Sequence, residues 1–170
     1  MTQEKQITAG STKQASPYEE IVRPEWIDYN GHMNVAYYLL VFDHAADALL
    51  DRLGLGLSYR NRENSSLFAV ETHITYQREV LDGDRLAVDT RILGYDGKRL
   101  HLFHEMGHVG SGDLVATNEV MLLHVDMADR RATDFRPAAL DRIESVYKFQ
   151  QNNGMPSQAG RAIKGLQALR

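Results

Sequence analysis

The chain has 170 residues, 43% of them apolar and 25% charged, a balance that fits one globular domain with a hydrophobic core. It contains no cysteine, which excludes disulfides, thiolate metal sites and a cysteine nucleophile, and which fits a reducing, cytoplasmic location. The net charge is −4 and no basic run occurs, which argues against nucleic acid as a partner. No apolar run approaches the roughly 18 residues of a membrane span, and the polar N-terminus has no apolar signal core.

Both ends of the chain are polar. Residues 1–17 carry almost no large apolar groups, which predicts a flexible segment. Residues 150–170 are polar and contain glycine, which predicts a tail with a short helix near its end. The single domain is therefore expected over residues 18–149.

The strongest helix signal follows Asn34. Asn34 is a suitable N-cap, and Gly54 is a suitable C-terminal stop. Between them, apolar side chains recur at alternating steps of four and three: Val35, Leu39, Phe42, Ala46, Leu49 and Leu53. The pattern predicts one long helix over residues 35–53 that packs against a sheet.

The first element is predicted to be a short strand at residues 19–22. After the helix, apolar and polar residues alternate with a period of two. The turns LDGD, GYDGK and GSGD separate the predicted strands, which cover residues 68–76, 85–92, 100–106 and 114–125. A meander beside one long helix is an α+β architecture. Because one helix cannot cover so wide a sheet, part of the sheet or an edge is expected to meet another subunit.

The segment HEMGH, residues 104–108, matches the zinc pattern H-E-x-x-H. That pattern binds zinc on a helix, where two histidines four residues apart share a face. Here Gly107 and Gly110 interrupt any helix, and the surrounding pattern has the period of a strand. On a strand, His104 and His108 would stand about 13 Å apart, too far for one metal ion. The sequence therefore predicts no metal site.

Four hydrogen-bonding side chains stand at alternate positions just before the predicted helix: Asp28, Asn30, His32 and Asn34. Free amides and the positive end of a helix dipole favour a carboxylate or a developing oxyanion there. A carboxylate in this place can act as a nucleophile or as a general base toward water. The alternative is that Asn34 caps the helix and the others form Asx turns. That alternative explains each residue separately but gives no reason for His32.

The stretch DYNGHMN resembles the D-x-N-x-H-x-N signature of hotdog-fold thioesterases. It is similar both to plant acyl-carrier-protein thioesterases and to the 4-hydroxybenzoyl-CoA thioesterase-like group. The run ITYQREVLDGDRLAVDTRI also resembles the second strand, turn and third strand of this family. The resemblance covers about residues 18–125 and implies a hotdog fold, a curved antiparallel sheet wrapped around the central helix. It further implies a dimer or a dimer of dimers that hydrolyses acyl thioesters between subunits, without metal or organic cofactor.

The resemblance also implies roles for individual residues. Asp28 falls on the catalytic carboxylate of the family. Asn30 and His32 fall on polar positions that orient substrate or water. Backbone amides near Asn34 and Val35 would polarise the thioester carbonyl.

Two further carboxylates are candidates for supporting roles. Glu79 falls on a glutamate that the plant enzymes carry before a cysteine, although Val80 replaces that cysteine here. Glu71 stands in a strand, where it either supports the site or lies on a solvated or interface face. Trp26 departs from the family, since many bacterial members have an aspartate there.

Basic and aromatic residues are candidates for substrate contacts. Candidates for the phosphates of coenzyme A are Arg78, Arg91, Lys98 and Arg99. Exposed surface charge is the commoner role of such residues. Candidates for holding a quaternary ammonium group by cation–π attraction are Trp26, Tyr29, Tyr37 and Tyr38. The alternative for these aromatics is ordinary packing. The overall sequence resembles thioesterases of carnitine and betaine breakdown, which implies betainyl-CoA as substrate. The core of short strands offers no obvious docking patch for an acyl-carrier protein, which favours coenzyme A as the carrier.

Two other functions compete with thioester hydrolysis. A hotdog enoyl-CoA hydratase or dehydratase also places aspartate and histidine together, but with wider spacing. A non-catalytic acyl-CoA-binding sensor usually carries a DNA-binding module, and the sequence shows no basic helix pair that could serve as one.

Overall fold

The computed structural model describes residues 16–162, so most of the predicted flexible N-terminal segment and the predicted helix near the C-terminus lie outside the described residues. No helix within this range is both long and apolar enough to cross a membrane. In chain order the elements are β1 (Tyr18–Ile21), a 3₁₀ turn (Pro24–Trp26), α1 (Val35–Arg52), α2 (Leu57–Glu63), β2 (Ser65–Tyr76), β3 (Arg85–Tyr95), β4 (Arg99–His108), β5 (Leu114–Asp126), β6 (Arg131–Ala132), α3 (Pro137–Gln150) and a second 3₁₀ turn (Gln151–Asn153).

The strands form one antiparallel sheet in the order β1-β3-β4-β5-β2, and β6 pairs with the end of β5. The four long strands lie where the alternating pattern predicted them. Within residues 16–162, β2 pairs with β5 on one side only, so its other side is a free edge. A β-bulge between Ala69 and Glu71 interrupts the β2–β5 register. The predicted architecture, an antiparallel sheet around one long helix, is confirmed.

The hydrophobic core lies between α1 and the sheet, in two adjoining clusters. One cluster surrounds the first half of α1 and includes Phe42 and Met106, each with no exposed surface. The other surrounds the second half of the helix and includes Leu49 and Leu102. Because every second residue of β3, β4 and β5 points toward α1, the period of two in the sequence becomes one continuous apolar layer.

The first turn of α1 departs from the predicted apolar stripe. Val35 and Leu39 were expected to face the sheet but are 61% and 43% exposed, whereas Tyr38 and Val41 are buried. The stripe that reaches the sheet is therefore shifted around the helix in its first turns. Leu39 instead lines an open cavity between α1 and the free-edge strand β2.

Two helices, α2 and α3, were absent from the prediction. α3 begins with Pro137 at its first positions and buries Ala139 and Ile143 in the second core cluster. Its last residue, Gln150, accepts a hydrogen bond from Ile92 N–H at 2.8 Å and donates one to a neighbouring carbonyl of β3. The helix thus closes the part of the β3 edge that β1 does not reach.

The described residues that follow α3 lie against the outer face of the sheet. Gly160 N–H donates to the Glu119 carboxylate of β5 at 2.7 Å. Arg91 of β3 donates to the Gly154 carbonyl at 3.5 Å. The described part of the predicted polar tail is therefore in contact with the sheet.

Candidate active site

The polar loop between β1 and α1 is fixed at both ends by backbone hydrogen bonds. An antiparallel bridge joins Ile27 to Met33. Met33 N–H also donates to Val80 O at 2.9 Å. Gly31 has φ +84°, a left-handed conformation that glycine adopts without steric cost and that allows the tight reversal. The loop therefore presents its side chains at a defined place beside the start of α1.

The Asp28 carboxylate is held by two donors at the N-terminus of α1. Its Oδ1 accepts a hydrogen bond from the Asn30 amide at 2.8 Å, which is an Asx turn. Its Oδ2 lies 3.5 Å from Nδ2 of Asn34. The same Asn34 side chain caps the helix by accepting from Ala36 N–H at 3.0 Å. Capping and carboxylate positioning, which were alternatives for Asn34 in the sequence, are thus performed together.

The amides at the start of α1 differ in their availability to a ligand. Asn34 N–H donates to Trp26 O at 2.9 Å and is not free. Ala36 N–H and Tyr37 N–H donate to the side chain and the carbonyl of Asn34. Within the described residues Val35 N–H has no acceptor, and Val35 is exposed. Of the two amides expected to polarise a carbonyl, only that of Val35 has this capacity.

His32 and Glu79 form a loose, exposed pair near Asp28. His32 Nε2 lies 3.9 Å from Glu79 Oε2, and the two side chains are 34% and 70% exposed. An exposed pair at this distance contributes little to stability. Both side chains are accessible to a bound substrate.

Glu71 does not lie beside this pair. It is exposed on β2, five residues before Tyr76, which packs against the first turn of α1. Five residues of a strand span about 17 Å, so Glu71 lies about that far from Tyr76. The structure does not bring Glu71 to Asp28 within this chain.

The four aromatic candidates do not enclose one common space. Trp26 is buried and stacks on Tyr37 with 5.1 Å between ring centroids. Tyr38 is buried and packs edge-on against Tyr76. Tyr29 is 97% exposed at the tip of the loop. Trp26, Tyr37 and Tyr38 pack within the chain, and in the described part of the structure these four candidates do not form an aromatic cage around a single point.

Each basic candidate for coenzyme A phosphate has a carboxylate neighbour. The pairs are Arg78 with Asp113, Arg91 with Glu105, Lys98 with Asp134, and Arg99 with Asp96. Arg78 lies near the start of α1, since its carbonyl is 3.5 Å from the Tyr38 hydroxyl. Lys98 and Arg99 lie at the β3–β4 hairpin, beside the C-terminal half of α1. The four residues therefore do not form one cluster, and only Arg78 lies near the Asp28 loop.

The HEMGH segment forms the last part of β4, as the period of two predicted. His104 is fully buried, with Nδ1 2.9 Å from Thr90 Oγ1, while Nε2 has no hydrogen-bond partner within the described residues. Burial lowers the pKa of His104 to about 3, so the ring is neutral at physiological pH. His108 instead meets Asp84 at 3.4 Å. The two histidines of the apparent zinc motif therefore have separate surroundings on the strand. His104 is buried and neutral, and His108 pairs with Asp84.

The sequence did not reveal a cavity of about 440 Å³ beside α1, here called the α1 cavity. It lies between α1 and the concave side of the sheet. Residues that line it include Ala36, Leu39, Asp43, Thr72, His104 and Asn118. These residues come from α1, β2, β4 and β5. No local sequence pattern could have indicated the set, because it exists only once these elements are assembled.

Comparison with known proteins identifies the family of this chain. Residues 22–143 match the family model described as the thioesterase-like superfamily. The chain belongs to the thioesterase-like superfamily. It is a thioester hydrolase with the hotdog fold, which confirms the reaction class and the fold implied by the DYNGHMN stretch.

Several relatives are similar over nearly the whole chain. A betainyl-CoA thioesterase of Pseudomonas aeruginosa is 42% identical over 153 residues, which are 90% of this chain and 96% of that protein. An Agrobacterium fabrum protein named L-carnitine dehydrogenase/betainyl-CoA thioesterase is 43% identical over 88% of this chain, but over only 30% of its own length. A hypothetical protein of Staphylococcus aureus, solved in complex with CoA, has a TM-score of 0.84 at 34% identity and covers 92% of this chain and 99% of its own.

Proposed function

We propose that this thioesterase hydrolyses betainyl-CoA to betaine and coenzyme A, with Asp28 as the catalytic carboxylate. The observation that carries the chemistry is the position of Asp28, held by the Asn30 amide and the Asn34 side chain beside the free amide of Val35. The acyl group is inferred from the relative named a betainyl-CoA thioesterase, which aligns over almost its full length. Because CoA esters are intracellular metabolites, we place the activity in the cytoplasm.

The geometry supports a simple division of labour. A thioester oxygen that meets Val35 N–H gains stabilisation as it becomes an oxyanion, and the helix N-terminus adds to this. Asp28 either attacks the carbonyl carbon or removes a proton from the attacking water. In the first route the new C–O bond joins the acyl group to Asp28, and water then hydrolyses this anhydride and restores the carboxylate; in the second route the C–O bond forms directly to water. In both routes the C–S bond breaks, and the thiolate leaves and is protonated to free coenzyme A. One water is consumed, and betaine leaves as a carboxylate.

The neighbouring side chains have positioning roles in this proposal. Asn30 fixes the carboxylate through its backbone amide, and Asn34 does so through its side chain. His32 and Glu79 are exposed beside the loop and are placed to contact water or the thioester. Arg78 is the basic candidate closest to this loop and the best placed of the four to meet coenzyme A.

We further propose that the enzyme is a dimer formed through the free edge of β2. Among the residues that the structure describes, this edge has no strand partner, and its unpaired backbone groups can be satisfied by a second copy. Exposed apolar side chains lie on the same side, from β2 and α1: Leu39, Val70 and Tyr76. The expected result in sedimentation is a species of twice the 19.2 kDa chain mass. A chain that sediments as a monomer at micromolar concentration would contradict this proposal.

Thiol release from a panel of acyl-CoAs tests the substrate. The panel contains betainyl-CoA and short-chain, long-chain and aromatic acyl-CoAs, and the highest kcat/KM is expected for betainyl-CoA. A parallel assay of enoyl-CoA hydration tests the competing hydratase function. Hydration without thiol release, or binding of CoA esters without either reaction, would overturn the proposed hydrolysis.

A further inference from the structure

The residues that follow α3 form a strap across the outer face of the sheet, here defined as residues 154–160. At one end of the strap, Arg91 of β3 donates to the Gly154 carbonyl at 3.5 Å. At the other end, Gly160 N–H donates to Oε2 of Glu119 on β5 at 2.7 Å. Strand β4 lies between β3 and β5. Because neighbouring strands lie about 4.8 Å apart, the strap spans about 10 Å and crosses β4 completely.

The strap covers an apolar side chain of the outer face, that of Phe103. The two neighbours of Phe103 in β4 face α1, so Phe103 points to the opposite side of the sheet. Its register partners are Arg91 and Glu119, the two residues to which the strap is attached. Within the described residues Phe103 belongs to neither core cluster, yet it is only 1% exposed. Pro156, in the strap, is buried as well. The strap therefore buries Phe103 from outside.

The attachment at Glu119 is the stronger of the two. While Oε2 of Glu119 accepts from the strap, its Oε1 lies 2.8 Å from Nε2 of His101 on β4. The Glu119 side chain is only 16% exposed, and hydrogen bonds to an ionised acceptor are stronger than those between neutral groups. On the strap, Gly160 has φ +72°, a conformation that glycine adopts without steric cost. Both acceptor and donor are therefore held in place.

Apolar side chains continue across the outer face beyond the strap. Met121 is a diagonal neighbour of Phe103, because it follows the register partner of Phe103 by two residues on β5. Leu123 comes two residues later and pairs in register with Phe68 of β2. Met121, Leu123 and Phe68 are all partly exposed. An apolar stripe, defined by these three residues and Phe103, therefore runs from beneath the strap to the free-edge strand β2.

We propose that the apolar stripe is an interface for the outer face of a second copy of this chain, and that the docked strap keeps this interface closed. Exposed apolar surface of this kind favours association. Two sheets that pack face to face lie about 10 Å apart, with only side chains between them. A backbone segment that lies on the face fills this space, so the strap must leave before two sheets can pack. The outer face is on the other side of the sheet from α1, so neither the proposed reaction nor edge pairing of β2 is required for this association.

Sedimentation velocity of full-length variants tests the proposal. Gly160→Pro removes the N–H donor, and proline cannot adopt a φ of +72°, so the strap should detach from Glu119. We expect this variant to sediment at micromolar concentration as a species of twice the wild-type mass. Gln158→Ala is the matched control within the strap. Its side chain contacts Arg161 and not the sheet, so the mass should stay that of the wild type.

A second substitution identifies the surface that associates. Met121→Lys places a charge in the apolar stripe, so the double variant Gly160→Pro, Met121→Lys should return to the wild-type mass. A doubled mass that persists in the double variant would overturn the proposal, because association would then use another surface. Hydrogen exchange of residues 155–159 reports whether the strap is released. A released strap with the wild-type mass would also overturn the proposal. If Gly160→Pro leaves the strap docked, Pro156→Asp replaces a buried residue of the strap by a charged one and detaches it, and the same mass criterion applies.

Discussion

The loop that holds Asp28 takes its polar side chains from seven consecutive residues, whereas the α1 cavity takes its lining from α1, β2, β4 and β5. In the loop, the contacts that hold the Asp28 carboxylate join residues close in sequence, such as the Asx turn between Asp28 and Asn30. In the cavity, His104 and Asp43 share one space although some 60 residues separate them. The proposed reaction chemistry is thus encoded locally, whereas the lining of the α1 cavity depends on assembly of the whole sheet.

The largest expected effect on stability concerns His104, a buried residue that lines the α1 cavity. Its pKa is about 3 in the folded chain and near 6.5 when unfolded, so the unfolded chain binds more protons between these values. This contribution to stability is complete above pH 6.5 and is lost as the pH falls toward 3. The loss amounts to about 2 kcal/mol at pH 5.

Urea denaturation at several pH values measures this contribution. His104→Gln does not titrate and can still bond Thr90, so its free energy of unfolding should depend less on pH between 6.5 and 4 than that of the wild type. His73→Gln, a substitution outside the core, serves as the matched control. Identical pH slopes for the wild type and His104→Gln would contradict this contribution, because they would show that burial does not lower the pKa of His104 in the folded chain.

A smaller effect is expected at Asn34, whose side chain both caps α1 and contacts the Asp28 carboxylate. Two substitutions can separate these roles. Asn34→Ala should lose the helix cap and cost about 1 kcal/mol of stability. Asn34→Ser retains a capping oxygen, so its stability should stay within about 0.5 kcal/mol of the wild type. Both variants lose the contact between Nδ2 and Asp28, so both should lose about tenfold in kcat.

Thermal or urea denaturation combined with thiol release separates the two functions of Asn34. A stable Asn34→Ser protein with full activity would mean that the amide contact does not position Asp28. A loss of activity that merely follows the loss of stability in both variants would lead to the same conclusion.

The same contrast explains what the sequence could and could not predict. The α1 helix, the long strands and the loop residues were predictable because their patterns are periodic or contiguous. The strand assignment of HEMGH was also correct, since Gly107 and the period of two outweighed the match to a zinc motif. Pro137 at the start of α3, with Ala139 and Ile143 spaced as on a helix, was a usable local signal that the prediction did not use.

Other features had no local signal. The seven-residue helix α2 buries only Tyr59 and therefore shows no apolar stripe. The aromatic residues near the loop were close in sequence, yet Trp26 and Tyr38 turn to different partners. Asp43 appeared in the sequence as an ordinary polar residue of an amphipathic helix. Its place in the α1 cavity depends on strands that follow it in the chain.

The central claim is that Asp28 is the catalytic carboxylate, and the most direct test is the rate of thiol release from betainyl-CoA by Asp28→Asn. The account predicts a folded protein with the circular dichroism spectrum and thermal midpoint of the wild type. Its kcat should be reduced at least about a thousandfold. A folded Asp28→Asn protein that hydrolyses betainyl-CoA at a rate close to that of the wild type would contradict the account.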